Sequence, residues 1–274
     1  MPGNCCGPHM SLQKTLLATV KQTPTNCSCI QCFLGSNLSY NIRKFATDDL
    51  EAAGKWLTTN KKKLFIHAPY VINIAHSKDT EMVEKGTKSL QSILDCMAAT
   101  TAPNQTGTVF HIGANGTIQN VINQINDMSI TAPLYLENCA GEGSKLGRNM
   151  DELRQLMEGI DDSNVGLCID TCHCYGAGMV DMRSAAAVAK MFDDLPTDNV
   201  VIHLNDSLGA FGSRKDRHAE ISKGLIWTPQ DGESFEEAIE SFNIVRDYSH
   251  SNGWDIILET PSTDLYEMDM LAVD

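Results

Sequence analysis

Short apolar runs alternate with longer stretches in which apolar residues recur every three or four positions, and the alternation holds along nearly the whole chain. Short continuous runs bounded by polar residues fit buried strands, and recurrence at three and four marks the buried stripe of a helix. The pattern predicts strands at 4–10, 27–33, 63–68, 107–112, 133–137, 165–170, 199–204 and 254–259. It predicts helices at 12–22, 47–59, 79–99, 117–128, 150–159, 183–193 and 234–251, with a polar stretch at 212–231 before the last of them. No linker or low-complexity segment divides the chain, so residues 1–274 are read as one domain. Strands alternating with helices predict an α/β fold with a parallel sheet, closed into a (β/α)8 TIM barrel, with an open doubly wound sheet as the alternative.

The chemistry at the strand ends favours the barrel. Leu64-Phe65-Ile66 runs into His67, Val109-Phe110 into His111, and Leu134-Tyr135-Leu136 into Glu137. Leu167-Cys168-Ile169 runs into Asp170, with His173 three residues on; Val200-Val201-Ile202 runs into His203, and Ile256-Ile257-Leu258 into Glu259. The richest segment is His203-Leu204-Asn205-Asp206 followed by Arg214-Lys215-Asp216-Arg217-His218. In a closed barrel all these ends meet on one face, whereas an open sheet spreads them along an edge. Burying so many ionisable groups without partners would be very costly. Divalent metals are suitable partners, because they favour ionised carboxylates and neutral imidazoles. A set of imidazoles and carboxylates with no evident thiolate suits zinc, with manganese or iron as competitors, and speaks against calcium. Nine candidates (His67, His111, Glu137, Asp170, His173, His203, Asp216, His218 and Glu259) are too many for one ion. A carboxylate-bridged pair roughly 3.5–4 Å apart is the usual phosphoester arrangement, and a third ion could take the remaining His/Asp/His group. The basic residues beside these carboxylates point to an anionic ligand, phosphate above all.

Composition narrows the setting. The chain has 274 residues, of which 42% are apolar and 20% charged, enough for the core of one barrel. It has no apolar run long enough to span a membrane, so no membrane partner is expected. No basic segment leads into an apolar one at the start, so an intracellular location in cytoplasm or nucleus is expected, with the Asn-x-Ser/Thr triplets at Asn26, Asn37, Asn104 and Asn115 unmodified. Ten cysteines spread through apolar segments fit buried free thiols in a reducing compartment. Two other uses of them are open: a zinc on Cys27, Cys29 and Cys32 with Cys5 and Cys6, or a crosslink from Cys5 or Cys6 to Cys27 or Cys29. Cys168, Cys172 and Cys174 flank Asp170 and His173 as packing residues. The net charge of −14 argues against nucleic-acid binding by bulk charge, although bound dications would offset part of the deficit at the mouth.

In order and spacing, these segments resemble the endonuclease IV family of apurinic/apyrimidinic (AP) endonucleases over nearly the full length. Gly7-Pro8-His9-Met10-Ser11 is similar to the family's Gly-x-His-x-Ser first strand. His67-Ala68-Pro69-Tyr70-Val71-Ile72-Asn73 matches its His-x-x-Tyr-x-x-Asn signature. Glu137-Asn138 with Gly141-Glu142-Gly143-Ser144 resembles its Glu-Asn-x-Ala-Gly-x-Gly segment. Residues 166–173 look like its sixth strand, and 203–206 with 212–218 like its seventh strand and loop. The resemblance implies three zinc ions: one on His67, His111 and Glu137, a second on Glu137, Asp170, His203 and Glu259, and a third on His173, Asp216 and His218. It implies hydrolysis 5′ to an abasic site in double-stranded DNA, leaving a 3′-hydroxyl and a 5′-deoxyribose phosphate, together with trimming of blocked 3′ ends. Glu137 and Glu259 would position the attacking hydroxide. An abasic nucleotide lacks stacking and is cheaper to flip out.

The chain departs from the family in the loops expected to meet DNA. Better-known members carry Gln and Arg after the second strand; here Leu34-Gly35-Ser36-Asn37-Leu38-Ser39-Tyr40 has no basic residue before Arg43. Leu38 or Tyr40 is a candidate wedge, with a plain surface loop as the alternative. Tyr70 matches a family position at the lesion, and Lys145, Arg148, Arg214, Lys215 and Arg217 are candidate phosphate contacts. The chain is expected to act as a monomer. Two competing readings are a metal-dependent sugar isomerase on a similar barrel, which needs no Asp-x-His third group, and a non-catalytic lesion-binding protein.

Overall fold

A computed structural model describes residues 6–260. Eight parallel strands form the barrel: β1 (Cys6–Pro8), β2 (Cys29–Cys32), β3 (Lys63–His67), β4 (Thr106–His111), β5 (Leu134–Glu137), β6 (Val165–Asp170), β7 (Val200–His203) and β10 (Asp255–Leu258). β8 (Asp206–Ser207) and β9 (His218–Ala219) pair antiparallel in the loop after β7. Neighbouring barrel strands pair in chain order from β2 to β7, then β10, then β1. The ring closes between β1 and β2, where Ser28 N donates to Cys6 O at 2.9 Å and Met10 N to Gln31 O at 2.7 Å. The backbones are close at this seam. A Cβ on Gly7 would lie 1.7 Å from the Cys29 carbonyl oxygen, so only glycine fits there.

The parity of the strands sorts the core into two layers. Ile30, Leu64, Ile66, Leu136, Leu167, Ile202 and Ile256 belong to the large outer core, where the strands meet the helices. The opposite parity makes a separate inner cluster of Cys29, Phe65, Val109, Cys168, Val201 and Ile257, with Tyr135 packed on it. Each fully buried aliphatic or aromatic side chain contributes roughly 1.5–3 kcal/mol. Two residues further along each strand, on the same face, stand Gln31, His67, His111, Glu137, Asp170, His203 and Glu259. The inner apolar cluster is thus a floor, and the ionisable residues form the rim above it.

Helices α2 (Thr47–Asn60), α3 (Thr80–Ala98), α4 (Ile118–Asn126), α5 (Met150–Gly159), α7 (Ala185–Asp193) and α9 (Glu240–Asn252) surround the strands. Side chains of Asp79, Thr117, Asn149 and Ser184 accept hydrogen bonds from backbone N–H groups in the first turns of α3, α4, α5 and α7, which sets where each begins. Three differences from the sequence pattern stand out. α1 is confined to Leu16–Val20, because Thr15 has extended backbone and caps Ala18 N. The stretch predicted as one helix at 234–251 is α8 (Phe235–Ala238) and α9, broken at Ile239, where φ −98° and ψ 6° leave the helical range. α6 (Thr171–Ala177) was not predicted; Asp170 caps it and Gly178 ends it at φ 71°. The expected first strand, 4–10, is described only from Cys6, and both alternatives that use Cys5 lie partly outside the described residues. Of the nine described cysteines eight are buried, and among the described residues Cys27, Cys29 and Cys32 form no metal-ligand group.

Candidate metal centre

Glu137, fully buried at the end of β5, is the hub of the rim. Its Oε2 lies 3.2 Å from His67 Nε2 and 3.1 Å from His111 Nε2. Its Oε1 lies 3.2 Å from His203 Nδ1 and 3.4 Å from His173 Nδ1. Glu259 Oε2 meets the same His203 Nδ1 at 3.1 Å. Across the mouth, Asp216 reaches His173 Nε2 at 3.2 Å and His218 Nε2 at 3.3 Å, and Asp170 Oδ2 lies 3.6 Å from His218 Nε2. Ligand atoms of His67, Glu137, His203 and Glu259 all fall within 4.8 Å of one another, as do those of His173, Asp216 and His218, and those of Glu137, Asp170 and His173. Of the nine predicted ligands, only His111 stands outside such a group, and it still touches Glu137. Cys172 lies near Asp170 and His218, but burial pushes its thiol far up, as expected of a packing residue.

The fit to metal ions rests on how the imidazoles are held. A ligating histidine offers one ring nitrogen to the metal and fixes the other by a hydrogen bond. Here Nδ1 of His67 donates to the Ala68 carbonyl at 2.7 Å, Nδ1 of His173 to the Asn138 carbonyl at 2.9 Å, and Nδ1 of His218 to the Glu259 carbonyl at 3.3 Å. In each ring this leaves Nε2 facing the carboxylates. Nε2 of His173 and of His218 are buried and make no hydrogen bond, although Asp216 lies within ion-pair reach of both. Two orphaned buried nitrogens aimed at one carboxylate suit a cation between them.

Several residues outside the predicted set hold this arrangement. Asn138 accepts from Asp170 N at 2.6 Å. Asn205 Nδ2 donates to Asp170 Oδ2 at 2.7 Å, and its Oδ1 accepts from Glu259 N at 3.0 Å. Gln31 and His9 touch Glu259. Asn138 and Asn205 are hinted at in the sequence by directly following a ligand or sitting two after one; Gln31 carries no such signal. Asp206, part of the segment richest in ionisable residues, is not in the site. Its carboxylate accepts from the backbone N–H groups of Ser207, Gly224, Ile226 and Trp227, shaping the loop that carries Asp216 and His218.

Electrostatics follow from the geometry. Burial alone would raise Glu137, but the imidazoles of His111 and His203 hold it well below the usual carboxylate range. Glu259 is likewise held low, against its burial, mainly by His203. Burial works against the charged form of His173, yet Asp170 and Asp216 push it up to about 10; His218 goes to about 9 in the same way. Without metal, these imidazoles therefore carry protons at neutral pH. A cation on the Nε2 atoms must displace them. Loading zinc at pH 7.5 in weak buffer is expected to release about one to two protons from this group. Its apparent affinity should rise with pH and level off above about 10, where His173 is already neutral. Calorimetry in buffers of different ionisation enthalpy measures the release; zinc uptake with none would contradict these protonation states.

Of the residues expected to meet DNA, Tyr70 and Lys145 line the same mouth. Tyr70 is 47% exposed and its ring packs against those of His67 and His111, with centroids at 5.2 and 5.3 Å. Tyr70 and Lys145 line a cavity of about 370 Å³ with His111, His173, Asp216 and Glu259. Lys145 is paired with Glu142 at 2.9 Å. Arg148 and Arg214 line a separate groove of about 360 Å³; Arg148 pairs with Glu152 at 3.2 Å, and Arg214 holds a left-handed φ of 54°. Arg217 donates to the Asp216 carbonyl. In the loop after β2, Leu38 is 71% exposed, while Tyr40 packs against the core. Tyr70 N donates to the Asn37 carbonyl at 2.9 Å, joining that loop to the tyrosine.

Comparison with known proteins gives consistent matches. Residues 25–270 match the family model described as xylose isomerase-like TIM barrel. A protein named "Probable endonuclease 4" from Halothermothrix orenii is 32% identical over 241 residues, covering 80% of this chain and 84% of its own. The crystal structure of endonuclease IV from Thermus thermophilus superposes with a TM-score of 0.77 at 25% identity, covering 97% of this chain and 95% of that one. A D-tagatose 3-epimerase-like protein superposes with a TM-score of 0.60 at 13% identity, over 97% of this chain and 94% of its own, a likeness of fold alone.

Proposed function

Since the chain belongs to the endonuclease IV family within the xylose isomerase-like TIM barrels, we propose that it is a metal-dependent AP endonuclease. It hydrolyses the phosphodiester 5′ to an abasic site in double-stranded DNA, leaves a 3′-hydroxyl and a 5′-deoxyribose phosphate, and trims blocked 3′ ends. The observation that carries this reading is the rim itself, where imidazoles and carboxylates from the ends of six strands, from α6 and from the loop after β7 gather, with four imidazoles on Glu137.

The donors would suit three zinc ions, with manganese or iron as substitutes: His67, His111 and Glu137 would hold one, Glu137, Asp170, His203 and Glu259 a second, and His173, Asp216 and His218 a third. Divalent ions so placed acidify a water at neutral pH and offset the charge building on phosphorus. Glu137 and Glu259 orient that water toward phosphorus. Tyr70, packed on His67 and His111, and the exposed Leu38 present apolar surface suited to the gap left by a missing base. Lys145, Arg148, Arg214 and Arg217 lie where phosphates of the bound strand would pass. The Asp216-Arg217-His218 group separates this reading from a sugar isomerase, which has no use for a third cation at a leaving oxygen.

Purified protein is expected to carry about three zinc ions per chain and to nick an abasic duplex, but not an intact one, in a chelator-sensitive way. Elemental analysis with a cleavage assay checks both. Fewer than about two metals per chain, or ketose formation from aldoses without nicking, would overturn the assignment.

A further inference from the structure

Gln31 lies in the middle of β2, fully buried, with no charge to mark it. Every polar atom of its side chain is turned to the metal centre. Nε2 donates to Glu259 Oε1 and lies 3.1 Å from His9 Nδ1; Oε1 lies 3.0 Å from His203 Nε2. The carboxylate fixes the rest of the chain of hydrogen bonds. An ionised Glu259 can only accept, so the Gln31 amide nitrogen must face it and the amide oxygen must face His203. His203 Nε2 must then carry a hydrogen, which leaves Nδ1, turned to Glu137 and Glu259 at 3.2 and 3.1 Å, as the nitrogen on offer to a metal.

This makes His203 the reverse of His67, His173 and His218, which spend Nδ1 on backbone carbonyls and offer Nε2. Those three are locked by the main chain. His203 is locked by a side chain from a strand on the other side of β1 and β10. We propose that Gln31 is a positioning residue: it sets the tautomer of His203 and, through the same amide, holds the Glu259 carboxylate in place for the metal. The proposal rests on the metal-dependent reading above. An ordinary buried amide would need only some partner for each polar atom; here one amide joins a ligand of the proposed bridged pair to the carboxylate proposed to orient the water.

The test compares wild type with Gln31→Met, close in volume but without hydrogen bonds, and Gln31→Glu, which keeps an acceptor toward His203 but loses the donor to Glu259. Zinc affinity is measured by competition with a fluorescent chelator, and ring tautomers by long-range 15N–1H NMR of the zinc-loaded proteins; kcat and KM are measured on abasic duplex. Wild type is expected to show one ligating ring of the Nε2–H type. Gln31→Met is expected to bind zinc about 10–100-fold more weakly, to lose that signature and to lose kcat with little change in KM. Gln31→Glu is expected to keep the signature yet lose at least about tenfold in kcat. This second variant carries the test if the first does not fold. Either folded variant matching wild type within about twofold in zinc affinity and kcat, with the signature intact, overturns the proposal. Wild type that takes up no zinc overturns instead the metal-dependent reading, and the proposal falls with it.

Discussion

Glu137→Ala is expected to yield a protein that keeps at most one metal and does not nick abasic DNA. The reason is position. Glu137 is fully buried, and four imidazoles approach its two oxygens within 3.4 Å. No neighbouring carboxylate reaches the same four rings; Glu259 meets His203, and Asp170 and Asp216 serve the other side. Removing a group that acts as part of a unit costs nearly as much as removing the unit, so the fall should be on the order of 10⁴-fold or more. Losing one partner of a buried charged cluster also costs about 3–5 kcal/mol where the remaining charges cannot be neutralised. The imidazoles can shed their protons, so the unloaded protein should stay nearer the lower figure and remain folded. Metal analysis and a nicking assay on the folded variant check this. Three retained metals with normal nicking would contradict the hub role.

Glu259→Gln tests the second acid more finely, because the side chain keeps its size. The negative charge facing His203 is lost, and the Gln31 amide donor can meet a second amide nitrogen instead of a carboxylate. Nicking should fall by ~10²–10⁴-fold, the range for a positioned acid–base group. Abasic duplex should still bind, because Tyr70 and the basic residues of the mouth are untouched. A gel-shift and a cleavage assay on the same preparation separate the two effects. Unchanged cleavage would remove Glu259 from the mechanism.

The eight strands and most of the candidate site were legible for one shared reason. Strand side chains alternate with period two, so a run ending in His, Asp or Glu places that residue on the same face as an apolar one two positions earlier. Phe65 beneath His67, Val109 beneath His111 and Ile257 beneath Glu259 show the relation. The helices were less legible where polar chemistry overrides the apolar pattern. α6 is short and rich in cysteine, and its start is set by an Asp170 cap that reads in the sequence as a ligand alone. Asp206 shows the converse: it belongs to the segment richest in ionisable residues, yet its oxygens are used by four backbone N–H groups. Gln31 was invisible because a neutral residue in mid-strand gives no signal of what it faces.

The seam of the barrel joins the beginning of the described chain to its end. Cys6 pairs with Ile256 and His9 lies beside Glu259, residues 250 positions apart. The catalytic ring therefore cannot be assembled piecemeal during synthesis. A nascent polypeptide holding every other donor still lacks Glu259 and the strand that brings it, so no partly made molecule could carry a complete cutting centre. A deoxyribonuclease so built would be inert until β10 is in place.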